Sequence, residues 1–126
     1  MNPVKTLLKP NTWILAPWDV YLQVIANPQF RQAKGYYYQG HMRLEMPPVG
    51  SDHASGHALI LFAVSLYAML KSIPVTAQDN CSYRKTGMQE CQPDISYYVG
   101  EKAQAIPRGN NIVDLDKFPA PDLVIE

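Results

Sequence analysis

The chain has 126 residues, of which 47% are hydrophobic, and its eleven basic and eleven acidic side chains leave it formally neutral at pH 7. That length and apolar content support one domain with a real core and exclude a disordered chain. Neutrality removes any argument for nucleic-acid binding from whole-chain charge. The distribution is less even: residues 1–43 carry five basic side chains against Asp19 alone, and residues 101–126 carry three against five acidic ones.

Residues 1–16 read as a polar, proline-containing lead, and residues 17–126 as a single domain. Pro17 suits the first turn of a helix, with apolar residues at 18, 21, 22 and 25, and Asn27-Pro28 ends it. Tyr36-Tyr37-Tyr38 and His41 to Met46 read as two strands around a Gln39-Gly40 turn; Met42, Leu44 and Met46 alternate with Arg43 and Glu45, so one face is buried. Pro47-Pro48 breaks the second strand. Ser51 or Asp52 then caps a helix running to about Lys71 and stopped by Pro74. This helix is apolar almost all round, which predicts a place in the middle of the domain. Its longest apolar stretch, residues 58–70, interrupted only by Ser65, falls short of the roughly 20 residues of a bilayer span, so no membrane span is expected.

Short strands follow at residues 75–77 and 81–84, then a Thr86-Gly87 turn and a strong strand at residues 95–99. Residues 100–111 read as a loop. Residues 122–126 open a last strand whose Leu123-Val124-Ile125 run predicts a central position covered on both faces. On that reading a C-terminal part of the fold is absent from this chain. Cys81 and Cys91 are too few and too far apart for a zinc site. With no signal peptide pattern in residues 1–15, they read as reduced thiols of a cytoplasmic protein.

A Pro-Asp dipeptide opens an apolar strand twice, in QPDISYY (Pro93-Asp94) and in APDLVIE (Pro121-Asp122). The second copy ends in Glu126, four residues on, which period-two alternation sets on the same face as Asp122. A carboxylate in an apolar strand is costly unless it is paired or holds a cation. Phosphodiester hydrolysis has a use for such carboxylates: Mg²⁺ on one or two of them generates a nucleophilic water and neutralises developing charge.

The run GYYYQGHMRLEMPPVGSDHASGHALI, then QPDISYY, then APDLVIE, resembles the Uma-type restriction endonuclease family of the PD-(D/E)XK nuclease superfamily. The resemblance runs from about residue 18 to residue 126. It implies an α/β, restriction-endonuclease-like fold with a central mixed β-sheet flanked by helices. It also implies metal-dependent hydrolysis of DNA and a homodimer with one site per strand. Asp94 and Glu126 would hold Mg²⁺, or Mn²⁺ in its place, and Asp122 would be an auxiliary acid. His53 would open the long helix and touch metal, substrate or a carboxylate, and Glu45 would complete the acidic cluster. The lysine that the superfamily pattern sets after Glu126 is not in this chain.

Plainer readings stand beside these. His53 and His57 share the i, i+4 spacing of a zinc-binding helix, but Ala54 stands where a metalloprotease has glutamate. His41 reads as a surface strand residue. The tyrosine run suits strand packing more readily than base stacking. A non-catalytic nucleic-acid or protein interaction module on the same fold is the alternative function.

Overall fold

A computed structural model of the chain describes residues 9–46, 50–107, 109 and 112–126. The Pro47-Pro48 break therefore lies outside the described residues, as do residues 1–8 of the lead. The chain divides into two compact units: Met1–Pro48 with Lys85–Cys91, and Val49–Arg84 with Gln92–Glu126.

The first unit is an antiparallel sheet with one helix against it. Its strands are β1 (Ile14–Leu15), β2 (Lys34–Tyr38), β3 (His41–Glu45) and β6 (Gln89–Cys91), and its helix is α1 (Trp18–Ala26). β3 lies between β1 and β2, and β2 pairs on its other side with β6. The Gln39-Gly40 turn forms as the sequence predicts, both residues having positive φ (48° and 75°), which matches the twist of a two-residue hairpin. Register divides the sheet into two rows. Ile14, Met42, Tyr37 and Glu90 lie opposite one another, as do Leu15, His41, Tyr38 and Gln89.

Tyr37, Met42 and Glu90 of the first row are buried, whereas Leu15 and Tyr38 of the second are exposed. Tyr37 packs with Trp18 and Tyr21 of α1 at ring-centroid distances of 5.0 and 5.2 Å. The Tyr21 hydroxyl donates to the Glu90 carboxylate, so this buried acid is hydrogen-bonded within the core. β1 and β6 were not anticipated: β1 has two residues within a polar stretch, and β6 is the polar triplet Gln89-Glu90-Cys91.

The second unit holds α2 (Ser51–Leu70) and the strands β4 (Val75–Asp79), β5 (Ser82–Lys85), β7 (Ile95–Val99), β8 (Ile112–Asp114) and β9 (Leu123–Ile125). β7 lies between β4 and β9, antiparallel to both, and β5 runs parallel to β8. Antiparallel and parallel strands with helices make the mixed α/β architecture that a restriction-endonuclease-like fold requires. β7 is the buried centre, with Ile95, Ser96 and Tyr97 at 0% exposure and Tyr98 at 1%. The Tyr97 hydroxyl donates to the Leu61 carbonyl of α2 and, its single proton so used, accepts from Ser65, both at 3.0 Å. α2 is thereby tied to β7.

Four expectations for this unit need correction. Gly50, in extended backbone, is the N-cap of α2, and neither Ser51 nor Asp52 caps it through a side chain. α2 is not buried: only Ala68 is, and Leu59, Phe62, Tyr67, Met69 and Leu70 are exposed. Uniform apolarity shows what a helix is able to bury, not what covers it. By length and composition alone this 20-residue helix would also suffice to cross a membrane. β9 is not central; among the described residues it pairs with β7 alone, and Leu123 and Val124 are exposed. A 3-10 turn, Gly100–Gln104, occupies part of the predicted loop.

Gly35 is where close packing demands glycine. A Cβ there would lie 2.5 Å from the Tyr21 hydroxyl and 3.1 Å from Ile25 Cγ2. Tyr21 has no room to retreat, because it is fully buried and bound to Glu90. Gly35→Ala is expected to destabilise the protein by about 1–3 kcal/mol, read as a lowered denaturation midpoint in urea with an unchanged slope.

Candidate active site

Pro93 is fully buried and leads directly into β7, which sets Asp94 at the mouth of that strand. The Asp94 carbonyl accepts from the Asn80 backbone N–H at 3.0 Å, fixing its backbone against the end of β4. Its side chain is 14% exposed, and its Oδ2 lies 3.2 Å from His53 Nε2. His53 is in the first turn of α2, and His57 follows one turn later on the same face. His57 Nε2 is 3.1 Å from Asp79 Oδ1, a contact between the rings and charges of α2 and β4 that is out of line for a hydrogen bond.

β9 supplies the opposing acid. Its register against β7 pairs Ile95 with Ile125, so one residue further Asp94 stands across from Glu126. Both carboxylates line one cavity of about 160 Å³, together with His53, Gly56, His57, Ile60, Ile95 and Ile125. An antiparallel pair thus delivers two acids to one end of a sheet, and a helix delivers two imidazoles to the same cavity.

The other predicted site residues lie elsewhere. Asp122 does not line the cavity: its carboxylate accepts from the Val99 N–H at 2.8 Å and pairs with Lys102 at 3.3 Å. The Val99 N–H, aided by Lys102, holds its carboxyl below the usual carboxylate range. Glu45 belongs to the first unit, where it pairs with Arg43 on β3 at 3.3 Å. His57 and Asp79 were not among the predicted site residues. Helical spacing alone had brought His57 into consideration, and no local signal marks Asp79.

Among the described residues, no three His, Cys, Asp or Glu side chains converge as a closed metal cage. Two opposed carboxylates beside an open cavity still fit one mode of binding, that of Mg²⁺, which takes one or two carboxylates and completes its shell with water and phosphate oxygens.

A family model matches residues 18–126, under the description Uma2, putative restriction endonuclease. The chain belongs to the Uma2 family. No curated protein and no solved structure matches the chain significantly. Membership points to a nuclease-like function, and the Uma2 match spans both units, including both Pro-Asp strands.

In this Uma2 chain two phenols on and beside β7 stay neutral. Tyr83 bonds Ser96 and Gln78 at 2.5 and 2.7 Å, and burial raises its pKa. Burial, chiefly, pushes Tyr98 up to about 12, and its hydroxyl donates to the Pro119 carbonyl at 2.7 Å.

Two predictions follow from how β7 is held. Tyr97→Phe removes the tie to α2 and is expected to cost about 1–2 kcal/mol, measured by chemical denaturation. Asp122 has a folded pKa below its ordinary 3.8, so its contribution to stability is complete above that value and is lost as pH falls through the folded pKa. The stability gap between the parent and Asp122→Asn should therefore be widest near neutral pH and close in acid. A gap that stays constant down to the acid limit would show that Asp122 does not act through its charge.

Proposed function

We propose that the protein is a metal-dependent endonuclease that hydrolyses phosphodiester bonds in DNA at the Asp94–Glu126 cavity. The observation that carries this reading is the opposition of two carboxylates across the β7–β9 register, inside one cavity that also takes His53. Asp94 and Glu126 would hold Mg²⁺, with Mn²⁺ an alternative. The bound ion supplies an activated water and neutralises charge developing on the phosphate. Asp94 is held for this task on both sides, its backbone by Asn80 and its carboxylate by His53. His53, partly exposed at the cavity, would orient Asp94 by donating its Nε2–H to the carboxylate. Ile60, Ile95 and Ile125 supply apolar walls, which strengthen electrostatic interactions by limiting water. A homodimer, one site for each strand, and a cytoplasmic location, consistent with two free thiols, belong to the same proposal.

The open apolar surface of α2 favours one other reading, a non-catalytic interaction module. Calorimetric titration of Mg²⁺ and Mn²⁺ into the protein, with Asp94→Ala and Glu126→Ala alongside, separates the two. The nuclease reading expects binding in the parent, loss of heat in both variants, and nicking of supercoiled plasmid by the parent that Glu126→Gln abolishes. Absence of metal binding with DNA both absent and present would favour the interaction module.

A further inference from the structure

The first unit carries a second cleft, of about 240 Å³, lined by Trp13, Tyr38, Gln39 and His41. It lies on the sheet face opposite the one that packs on α1. Leu15, His41, Tyr38 and Gln89 form one row across β1, β3, β2 and β6, and Trp13 stands two residues ahead of Leu15. The aromatic residues here differ from those of the core. Trp18, Tyr21 and Tyr37 are packed on one another, whereas Trp13 is 46% and Tyr38 53% exposed. The Gln39-Gly40 turn sets Tyr38 directly opposite His41.

Polar groups accompany these rings. His41 Nδ1 lies 2.9 Å from the Gln39 carbonyl. A carbonyl only accepts, so Nδ1 carries the proton and Nε2 is left as an acceptor in the neutral ring. The Gln39 side chain brings an amide with both a donor and an acceptor, and its Nε2 reaches the Tyr38 hydroxyl at 3.4 Å. Charge narrows the occupant. The first unit holds six Lys and Arg against three Asp and Glu, a net of +3, whereas the second holds five against eight, a net of −3. An exposed aromatic cleft with edge-reading polar groups, on a unit of positive charge, suits a flat heterocycle carried on a polyanion.

We propose that the Trp13–Tyr38–His41 cleft is a base-stacking subsite that takes one unstacked nucleobase of single-stranded or locally opened DNA. This deepens the nuclease reading and rests on it for the class of substrate. Trp13 and Tyr38 offer ring faces to the base, which every base can use and which a closed duplex does not present. His41 and Gln39 meet the base at its edge, and the basic side chains of the unit favour the phosphate backbone. Binding here holds the strand and makes no contribution to bond cleavage.

The protein's two tryptophans make the test direct, since Trp13 is exposed and Trp18 is packed against Tyr21 and Tyr37. The whole protein, in EDTA so that no hydrolysis intervenes, is titrated with a short single-stranded oligonucleotide and with the same sequence as duplex. Tryptophan emission and the anisotropy of an end-labelled copy are followed together. The expected result is saturable quenching, stronger for the single strand. Trp13→Leu should abolish that quenching, and Trp13→Leu and Tyr38→Leu should each weaken single-strand binding on the order of tenfold. Both positions are exposed, and circular dichroism of each variant verifies the fold. Binding by anisotropy without quenching, or unchanged affinity in both variants, overturns the subsite. A parent that nicks plasmid and binds metal yet shows no quenching overturns the subsite and leaves the nuclease reading standing. A parent that quenches with oligonucleotide but neither binds metal nor nicks DNA keeps the subsite and overturns the nuclease. Absence of all nucleic-acid binding overturns both.

Discussion

The register between β7 and β9 is the constraint on which the candidate site depends. Asp94 and Glu126 are separated by 31 intervening residues in sequence and meet because Ile95 pairs with Ile125. Side chains alternate with period two, so a slip of one residue would send Glu126 to the opposite face of the sheet and leave Asp94 without its counterpart. The register is held at its far end by Asp122. Its N–H donates to the Tyr97 carbonyl, and its carboxylate accepts from the Val99 N–H. The residue first read as an auxiliary acid is thus placed to pin the strand pair that aligns the other two. β7 is in turn anchored by burial on both faces and by the Tyr97 hydroxyl on α2, so the helix bearing His53 and the strand following Asp94 are linked by one buried side chain.

The first unit uses the same alternation for the opposite purpose. Three tyrosines in succession cannot all face one way on a strand, and β2 sends Tyr37 into the core while Tyr38 stays in solvent. Tyr36 shares the face of Tyr38 but lies beneath the Arg43 guanidinium, 5.3 Å from its ring centroid, and is buried. On the core face the hydroxyl of Tyr21 is needed to satisfy Glu90, and that hydroxyl occupies the space a side chain at residue 35 would fill. A buried acid, a buried phenol and a glycine therefore form one interdependent set, none of whose contacts is visible from neighbouring sequence.

Local signals were legible wherever the chain's own chemistry decides the outcome. Gln39-Gly40 needs two positive φ values, Asn27-Pro28 cannot continue a helix, and the aromatic and β-branched run at residues 95–99 favours a strand; all three elements form. The two Pro-Asp strands, and the family they belong to, were legible for the same reason. Pairing was not. β1 and β6 are short, polar or both, and exist because β3 and β2 offer them an edge. β9 and α2 show the converse. Their apolar runs predict cover on every side, yet most of α2 and two of the three β9 residues are exposed. Within the site, Asp94, Glu126 and His53 converge, but Asp122 is engaged by Lys102, a pairing no spacing rule predicts, and Glu45 by Arg43, its same-face neighbour two residues back on the strand.

Acidic and basic side chains cancel over the chain but not within its parts, and on the proposed function this separation would have a physical use. A site that holds a divalent cation needs an excess of carboxylate, and the same excess repels the phosphates of a polyanion. If Asp94 and Glu126 hold a cation as proposed, dividing the charges into a unit of net −3, which contains them, and a unit of net +3 would let each requirement be met in a different unit. On the proposed function, the neutrality of the whole chain, which at first removes the electrostatic case for nucleic-acid binding, would be the sum of two opposed demands. The exposed rings of Trp13 and Tyr38 fall on the unit of net positive charge, the sign that would favour the polyanion of the proposed subsite.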